Sequence, residues 1–163
     1  SMHKESHQQI QAALQELEQI LGLPSGKLKL EPPLEAPHKP PTLPKGKMAV
    51  YIFTYKECFL KIGKAGPNSN ARYSSQHYNM DSSRSNLAKS LVNDLPNEKW
   101  EGLTSDNVSS WIKDKTTRYN ILMEESPKLL LLNLLEAFLH YRLEPEFEGA
   151  QANKQFEFIA KCK

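Results

Sequence analysis

Tyr51 and Lys61 could carry out proton transfer if the fold placed them side by side. An ammonium group beside a phenol stabilises the phenolate and lowers the pKa of the tyrosine, so that the phenol can act as a general base. The alternative interpretation is a tyrosine with its ring in the core and a lysine that extends its amine into solvent. Which of the two applies depends on the elements that hold them.

Both residues lie in predicted strands. Residues 48–54 (MAVYIFT) and 59–63 (FLKIG) are rich in β-branched and aromatic side chains, and the four residues between them are short enough for a hairpin. Antiparallel pairing would then bring Tyr51 next to Lys61 on one face of the sheet. The side chains predicted for that face are Ala49, Tyr51, Phe53, Phe59, Lys61 and Gly63.

A carboxylate stands in the most apolar part of the chain. Residues 129–139 read LLLLNLLEAFL, and the helix predicted over 127–143 should be largely buried. Its polar residues Asn133, Glu136 and His140 share one face. A carboxylate there needs a partner, a cation or a cleft, and Mg²⁺ suits one carboxylate when waters and a phosphate complete its shell. The alternative is a solvent-facing stripe.

Residues 70–78 (NARYSSQHY) carry groups that bind phosphate. Arg72 can donate two parallel hydrogen bonds to phosphate oxygens, and Gln76 follows one helical turn later. His77 can donate to a phosphate or move a proton. A loop of small residues, 63–66, precedes the helix predicted over 67–77, but the GxxxxGK[ST] spacing of a nucleotide-binding loop is absent. Alone, the segment indicates a polar helix face.

Together these three elements resemble the GIY-YIG nuclease superfamily in order, spacing and predicted secondary structure. Residues 49–51 stand at the first motif, with alanine in place of its first glycine. Residues 61–63 stand at the second, with Lys61 in place of its first tyrosine, a variant that resembles some restriction-type members. Arg72 matches the family arginine and Glu136 the metal-binding glutamate. The resemblance extends over roughly residues 48–150.

Two further family positions are matched less directly. The family's histidine or tyrosine usually lies one turn after the arginine, where this chain has Gln76, so the role passes to His77, with Tyr78 as a further candidate. The late asparagine of the family has a candidate in Asn153.

The resemblance implies an α/β (α+β) fold, with a small, mainly antiparallel sheet flanked by helices, and hydrolysis of DNA phosphodiester bonds. Tyr51, assisted by Lys61, would deprotonate the attacking water, and Arg72 would bind the scissile phosphate. Glu136 would hold one Mg²⁺ or Mn²⁺ ion. The alternative is a catalytically inactive nucleic-acid-binding or protein-interaction module of the same shape.

Other residues are candidates for substrate binding. Lys64 or His77 would position the water or the phosphate, and Gln76 and Tyr78 lie in the same region. In residues 81–89 (DSSRSNLAK), basic, hydroxyl and amide groups could contact a nucleic-acid backbone, or could form an ordinary capped helix. The basic residues of that segment are Arg84 and Lys89.

Composition limits the remaining possibilities. The chain has 163 residues, 39% of them hydrophobic, and a net charge of +2, as in an ordinary globular protein. No apolar run reaches the roughly 20 residues of a membrane helix, and no signal peptide opens the chain. Two cysteines are too few for a disulfide scaffold or a thiolate metal cluster, so we expect a reduced, cytoplasmic setting.

The chain divides into three predicted parts. Residues 1–23 contain an amphipathic helix over 5–23, which could pack on the main domain or dimerise or dock with a second chain. Residues 24–47 hold seven of the eleven prolines and are predicted to be an extended linker. Residues 48–163 form the domain itself. Its remaining predicted elements are helices over 83–93 and 104–113 and strands over 119–123 and 156–160.

Overall fold

The computed structural model describes residues 4–81 and 86–147. These residues form a mixed α/β fold, which confirms the predicted fold class. The strands are β1 (Lys29–Leu30), β2 (Lys47–Tyr55), β3 (Cys58–Ala65) and β4 (Thr117–Glu124). The helices are α1 (Lys4–Leu21), α2 (Asn70–Ser74), α3 (Leu87–Asn93), α4 (Val108–Lys115) and α5 (Leu130–Leu143), with a 3₁₀ turn over Gln76–Tyr78.

The four strands form one antiparallel sheet in the order β1-β4-β2-β3. The β2–β3 hairpin turns at Lys56 and Glu57, which both have positive φ angles of 48° and 65°. Positive φ at both central residues matches the right-handed twist of the flanking strands. The hairpin therefore closes even though the sequence has no asparagine or glycine there.

A β-bulge in the hairpin changes one predicted position. Tyr51 pairs with Gly63 and Phe53 with Lys61, but the register shifts between Phe53 and Thr54. The extra residue in β3 turns Phe59 to the opposite face, so the prediction that Phe59 shares a face with Lys61 is wrong. The predicted common face of Tyr51 and Lys61 agrees with the pairing.

Each face of the sheet supports its own hydrophobic core. On one face β2 contributes Tyr51 and Phe53, which pack with residues of α3 and α4. On the other face β2 contributes Val50 and Ile52, which pack with residues of α1 and α5. Burial of β2 on both faces explains its nearly continuous run of apolar residues.

The N-terminal region belongs to the same domain. Ile10, Leu14 and Leu17 of α1 are buried against α5 and the sheet, so this stripe packs on the main domain; dimerisation or docking through the rest of the helix stays a prediction. Residues 24–47 were predicted to be an extended linker, but part of this segment pairs with the sheet: it supplies β1 and a further bridge from Leu34 to Arg118. Prolines are compatible with this extended edge because their neighbours make the hydrogen bonds.

The helices differ from prediction mainly at their ends. The predicted helix over 67–77 is divided into α2 and the 3₁₀ turn, and α5 begins at Leu130. Leu130 and Tyr141 of α5 are 72% and 80% exposed, so the expectation of a largely buried helix is wrong.

Every helix in the described ranges is too short or too polar to cross a bilayer. The predicted strand over 156–160 lies outside those ranges.

Candidate active site

Tyr51 lies directly on the backbone of the neighbouring strand. Its ring covers Gly63, and a Cβ atom at Gly63 would lie 2.7 Å from Cε2, Cζ and Oη of Tyr51. Real Cβ contacts are essentially never that short, so the missing side chain of Gly63 creates the space that the phenol occupies. The residue pairing Tyr51↔Gly63 therefore fixes the phenol over β3.

Gly63→Ala is expected to displace the Tyr51 ring and to lower the free energy of unfolding by about 1–3 kcal/mol. Gly66→Ala is the matched control, because its Cβ would meet Leu129 Cδ1 at an ordinary 3.9 Å. Urea unfolding of both variants checks this prediction. Equal stability of the two variants would contradict the close contact at Gly63.

His77 holds the hydroxyl group of Tyr51. His77 Nε2 lies 2.6 Å from Tyr51 Oη, and the backbone N–H of Leu87 donates to His77 Nδ1 at 3.2 Å. Burial, together with nearby Lys61 and Arg72, holds the pKa of His77 well below its usual value, so the ring is neutral at pH 7. Because Nδ1 accepts a hydrogen bond, we assign the proton to Nε2, which donates to Tyr51.

This tautomer changes the predicted role of His77. The ring is 1% exposed and both of its nitrogens are engaged within the protein, so it does not face a water or a phosphate. Its donated hydrogen bond favours the charged form of the Tyr51 oxygen. His77 therefore positions the Tyr51 hydroxyl group and favours its ionisation, and does not bind substrate directly.

The pKa of Tyr51 differs from the prediction. Burial raises the pKa of Tyr51 to about 12, while the charges of Arg72 and Arg118 act in the opposite direction. The prediction that Lys61 lowers this pKa below its ordinary value is wrong, because desolvation of the fully buried ring outweighs the neighbouring charges.

Lys61 is buried beside the same face. It is 4% exposed, which excludes the alternative of an amine extended into solvent. Burial and the charge of Arg72 lower the pKa of Lys61 to about 8, and Glu136 opposes this shift. Lys61 is therefore a lysine that can gain or lose a proton near neutral pH.

Partly exposed charges lie next to this buried group. Arg72 Nε donates to the backbone oxygen of Lys64 at 3.2 Å. Lys64 Nζ lies 3.3 Å from Glu136 Oε1 and donates to Asn133 Oδ1 at 2.8 Å. Glu136 belongs to α5 on the other side of the sheet, but its charge acts on both Tyr51 and Lys61. β3, the strand that carries Lys61 and Lys64, is at the end of the described sheet.

Glu136 and Asn133 can serve as ligands of a divalent ion. Their side-chain oxygens both bind the Lys64 ammonium, so one cation already has two oxygen partners from α5. No group of three or more potential ligands among His, Cys, Asp and Glu is found in residues 4–81 and 86–147. One carboxylate and one amide oxygen fit a hard cation whose remaining ligands are waters and substrate phosphate.

Other predicted residues lie elsewhere. Tyr78, predicted to bind substrate, is 2% exposed, and its hydroxyl is bonded to Arg118 and His38, so this prediction is corrected. Gln76 is partly buried in the 3₁₀ turn, and Lys89 is partly buried in the first turn of α3. Two further candidates, Arg84 and Asn153, lie outside the described residues.

Arg118 was missed by the sequence interpretation. It is fully buried on β4 with its guanidinium carbon 4.8 Å from the ring centroid of Tyr51. A signal was available, since Arg118 directly precedes the apolar run YNILM, where a charged residue in a central strand is unusual. The predicted strand began one residue later.

Comparisons of this chain with protein-family models, with curated proteins and with solved structures found no match. The interpretation of the site therefore depends on its own geometry.

Proposed function

We propose that this protein is a metal-dependent endonuclease that hydrolyses DNA phosphodiester bonds. The observation that supports the proposal is that the charges of a guanidinium, Arg72, and a carboxylate, Glu136, both act on a buried phenol and a buried amine on one face of the sheet. Tyr51 and Lys61 both lie within electrostatic reach of Arg72 and Glu136. This combination supplies a base, a phosphate ligand and a metal ligand.

The partly exposed residues would bind the substrate. Arg72 would bind the scissile phosphate and stabilise the charge of the transition state. Glu136 and Asn133 would hold one Mg²⁺ or Mn²⁺ ion, and Lys64 would then turn from these oxygens to the phosphate. A bound ion of this kind screens the phosphate and stabilises the leaving 3′ oxygen.

The buried residues would supply the base. With His77 donating to Tyr51 Oη, the phenol's own proton points elsewhere, and the oxygen is prepared to become negatively charged. Neutral Lys61 would first take the Tyr51 proton, and the Lys61 ammonium would stabilise the resulting phenolate. Once substrate binding admits water to this hydroxyl, which is fully buried here, the phenolate would take a proton from the attacking water.

Glu136→Gln tests this function. The variant is expected to lower the rate of Mg²⁺-dependent cleavage on the order of 10²–10³-fold, because the metal loses its charged ligand. Cleavage of single-stranded, duplex and branched DNA is measured with Mg²⁺, with Mn²⁺ and with a chelator. Glu125→Gln, at an exposed position before α5, is the control and should cleave like the wild type. Unchanged cleavage by Glu136→Gln would contradict the proposed site.

The second candidate function is an inactive module that binds nucleic acid or protein. It is favoured by the complete burial of Tyr51 and by the ion pair between Lys64 and Glu136. The same experiment separates the two, because the module would bind DNA in fluorescence anisotropy without cleaving any of the three substrates.

A further inference from the structure

Arg118 is surrounded by aromatic rings. It pairs with Phe53 across β4 and β2, and its side chain is fully buried. The guanidinium carbon lies 4.8 Å from the ring centroid of Tyr51, 5.2 Å from that of Phe53 and 4.6 Å from that of Tyr73. At these distances the cation interacts favourably with the faces of the rings.

Hydrogen bonds hold the guanidinium in place. It donates to Asn120 Oδ1 at 2.8 Å, to the Tyr78 hydroxyl at 3.3 Å and to the backbone oxygen of Tyr73. These acceptors are uncharged, so they fix Arg118 without neutralising it. Tyr78 in turn lies 2.7 Å from His38 Nε2, and His38 Nδ1 donates to the Thr116 carbonyl oxygen.

The network extends into the proline-rich segment. Because His38 Nδ1 donates to a carbonyl, the neutral ring accepts the Tyr78 proton at Nε2. Burial lowers the pKa of His38, which keeps the ring neutral. The proline-rich segment therefore supports Arg118 through Tyr78.

We propose that Arg118 is a positioning residue that holds the Tyr51 ring and stabilises its phenolate. The proposal rests on the proposed function, in which that phenolate is the base. A fixed positive charge about 5 Å from a phenol favours its charged form. The charge that stabilises the phenolate would lie in a place that solvent does not reach.

Arg118 has a different task from the other charges around Tyr51. The charges of Arg72 in α2 and Glu136 in α5 also act on Tyr51, Lys61 lies on the same face of the sheet in β3, and neutral His77 lies in the 3₁₀ turn. Arg72 and Glu136 are accessible and would be neutralised by phosphate and metal. Arg118 is enclosed, so its charge continues to act on Tyr51 when substrate is bound.

The acidity of Tyr51 tests the proposal without any cleavage. The six tyrosines are replaced by 3-fluorotyrosine, whose more acidic phenol brings the titration into an accessible range, and the Tyr51 signal in ¹⁹F NMR is identified by its absence in Tyr51→Phe. In Arg118→Gln the titration midpoint of Tyr51 should rise by roughly one pH unit or more. Arg142→Gln, at an exposed arginine of α5, should leave it unchanged.

Arg118→Lys provides a second variant if Arg118→Gln does not fold. A buried lysine has a lowered pKa and is neutral at the pH where Tyr51 ionises, so the same upward shift is expected. An unchanged Tyr51 midpoint in either folded variant would overturn the proposal, whether or not the protein cleaves DNA.

A double-mutant cycle tests the link to catalysis. Arg118→Gln should lower kcat about tenfold with KM unchanged, because Arg118 contacts Tyr51 and not DNA. In the Tyr51→Phe background the same change should alter kcat less than about twofold. Additive effects would overturn action through Tyr51. Absence of wild-type cleavage would count against the nuclease, and the NMR titration would still decide the role of Arg118.

Discussion

Tyr51→Phe is expected to lower the rate of DNA cleavage by roughly 10²–10⁴-fold while DNA binding is retained, because the variant keeps the ring and loses the base. The ring of phenylalanine fills the same space over Gly63, so the hydrophobic core should be preserved. The lost partner of His77 Nε2 should cost about 1–2 kcal/mol of unfolding free energy. Single-turnover cleavage and thermal unfolding measure the two effects separately.

Tyr55→Phe is the matched control for this variant. Tyr55 lies at the far end of β2, where it packs against Trp100 and Trp111. Its cleavage rate should equal that of the wild type. If Tyr51→Phe also cleaved at the wild-type rate, the base would have to be another group, and Lys61, with a pKa of about 8, would be the next candidate.

Lys61→Met is expected to stabilise the protein by about 3 kcal/mol at pH 7 and to reduce cleavage. The folded pKa of about 8 lies 2.5 units below the ordinary 10.5, and each unit corresponds to about 1.4 kcal/mol. The folded protein therefore carries a buried charge at pH 7 that methionine, of similar shape, avoids. Such an exchange of stability for activity is typical of functional sites.

The pH dependence identifies the cause. Because the folded pKa of Lys61 is lowered, the lysine destabilises the protein below pH 8, and this penalty disappears as the pH rises from 8 to 10.5. The stability difference between Lys61→Met and wild type should shrink over the same range in urea unfolding. Lys115→Met, at an exposed lysine of α4, should change stability by less than about 0.5 kcal/mol. A difference independent of pH would contradict a buried ammonium.

Much of the framework could be predicted from local patterns. Apolar and β-branched runs located β2, β3 and β4, and alternation placed Tyr51 and Lys61 on one face, because side chains in a strand alternate with a period of two. The apolar stripe of α1 was found in the same way, since a helix has its own fixed period. These features depend on neighbouring residues and are therefore readable from the sequence.

Some features of the site depend on contacts between distant segments. The bulge that turns Phe59 away, and the pairing of residues 24–47 with β4, follow from how the strands meet and not from any local run. Nor does the sequence indicate that His77 hydrogen-bonds to Tyr51, that Arg118 packs on the Tyr51 ring, or that His38 hydrogen-bonds to Tyr78. Such contacts are decided when the two hydrophobic cores close.

The sequence by itself determined which chemical groups this protein has and the strands and helices that carry them. Only the tertiary structure decided their acidity, because a pKa depends on how deeply a group is buried and on which charges surround it. Tyr51 and Lys61 would be an ordinary phenol and an ordinary amine in water. Burial moves the pKa of the first up to about 12 and that of the second down to about 8, because it disfavours the phenolate of the one and the ammonium of the other.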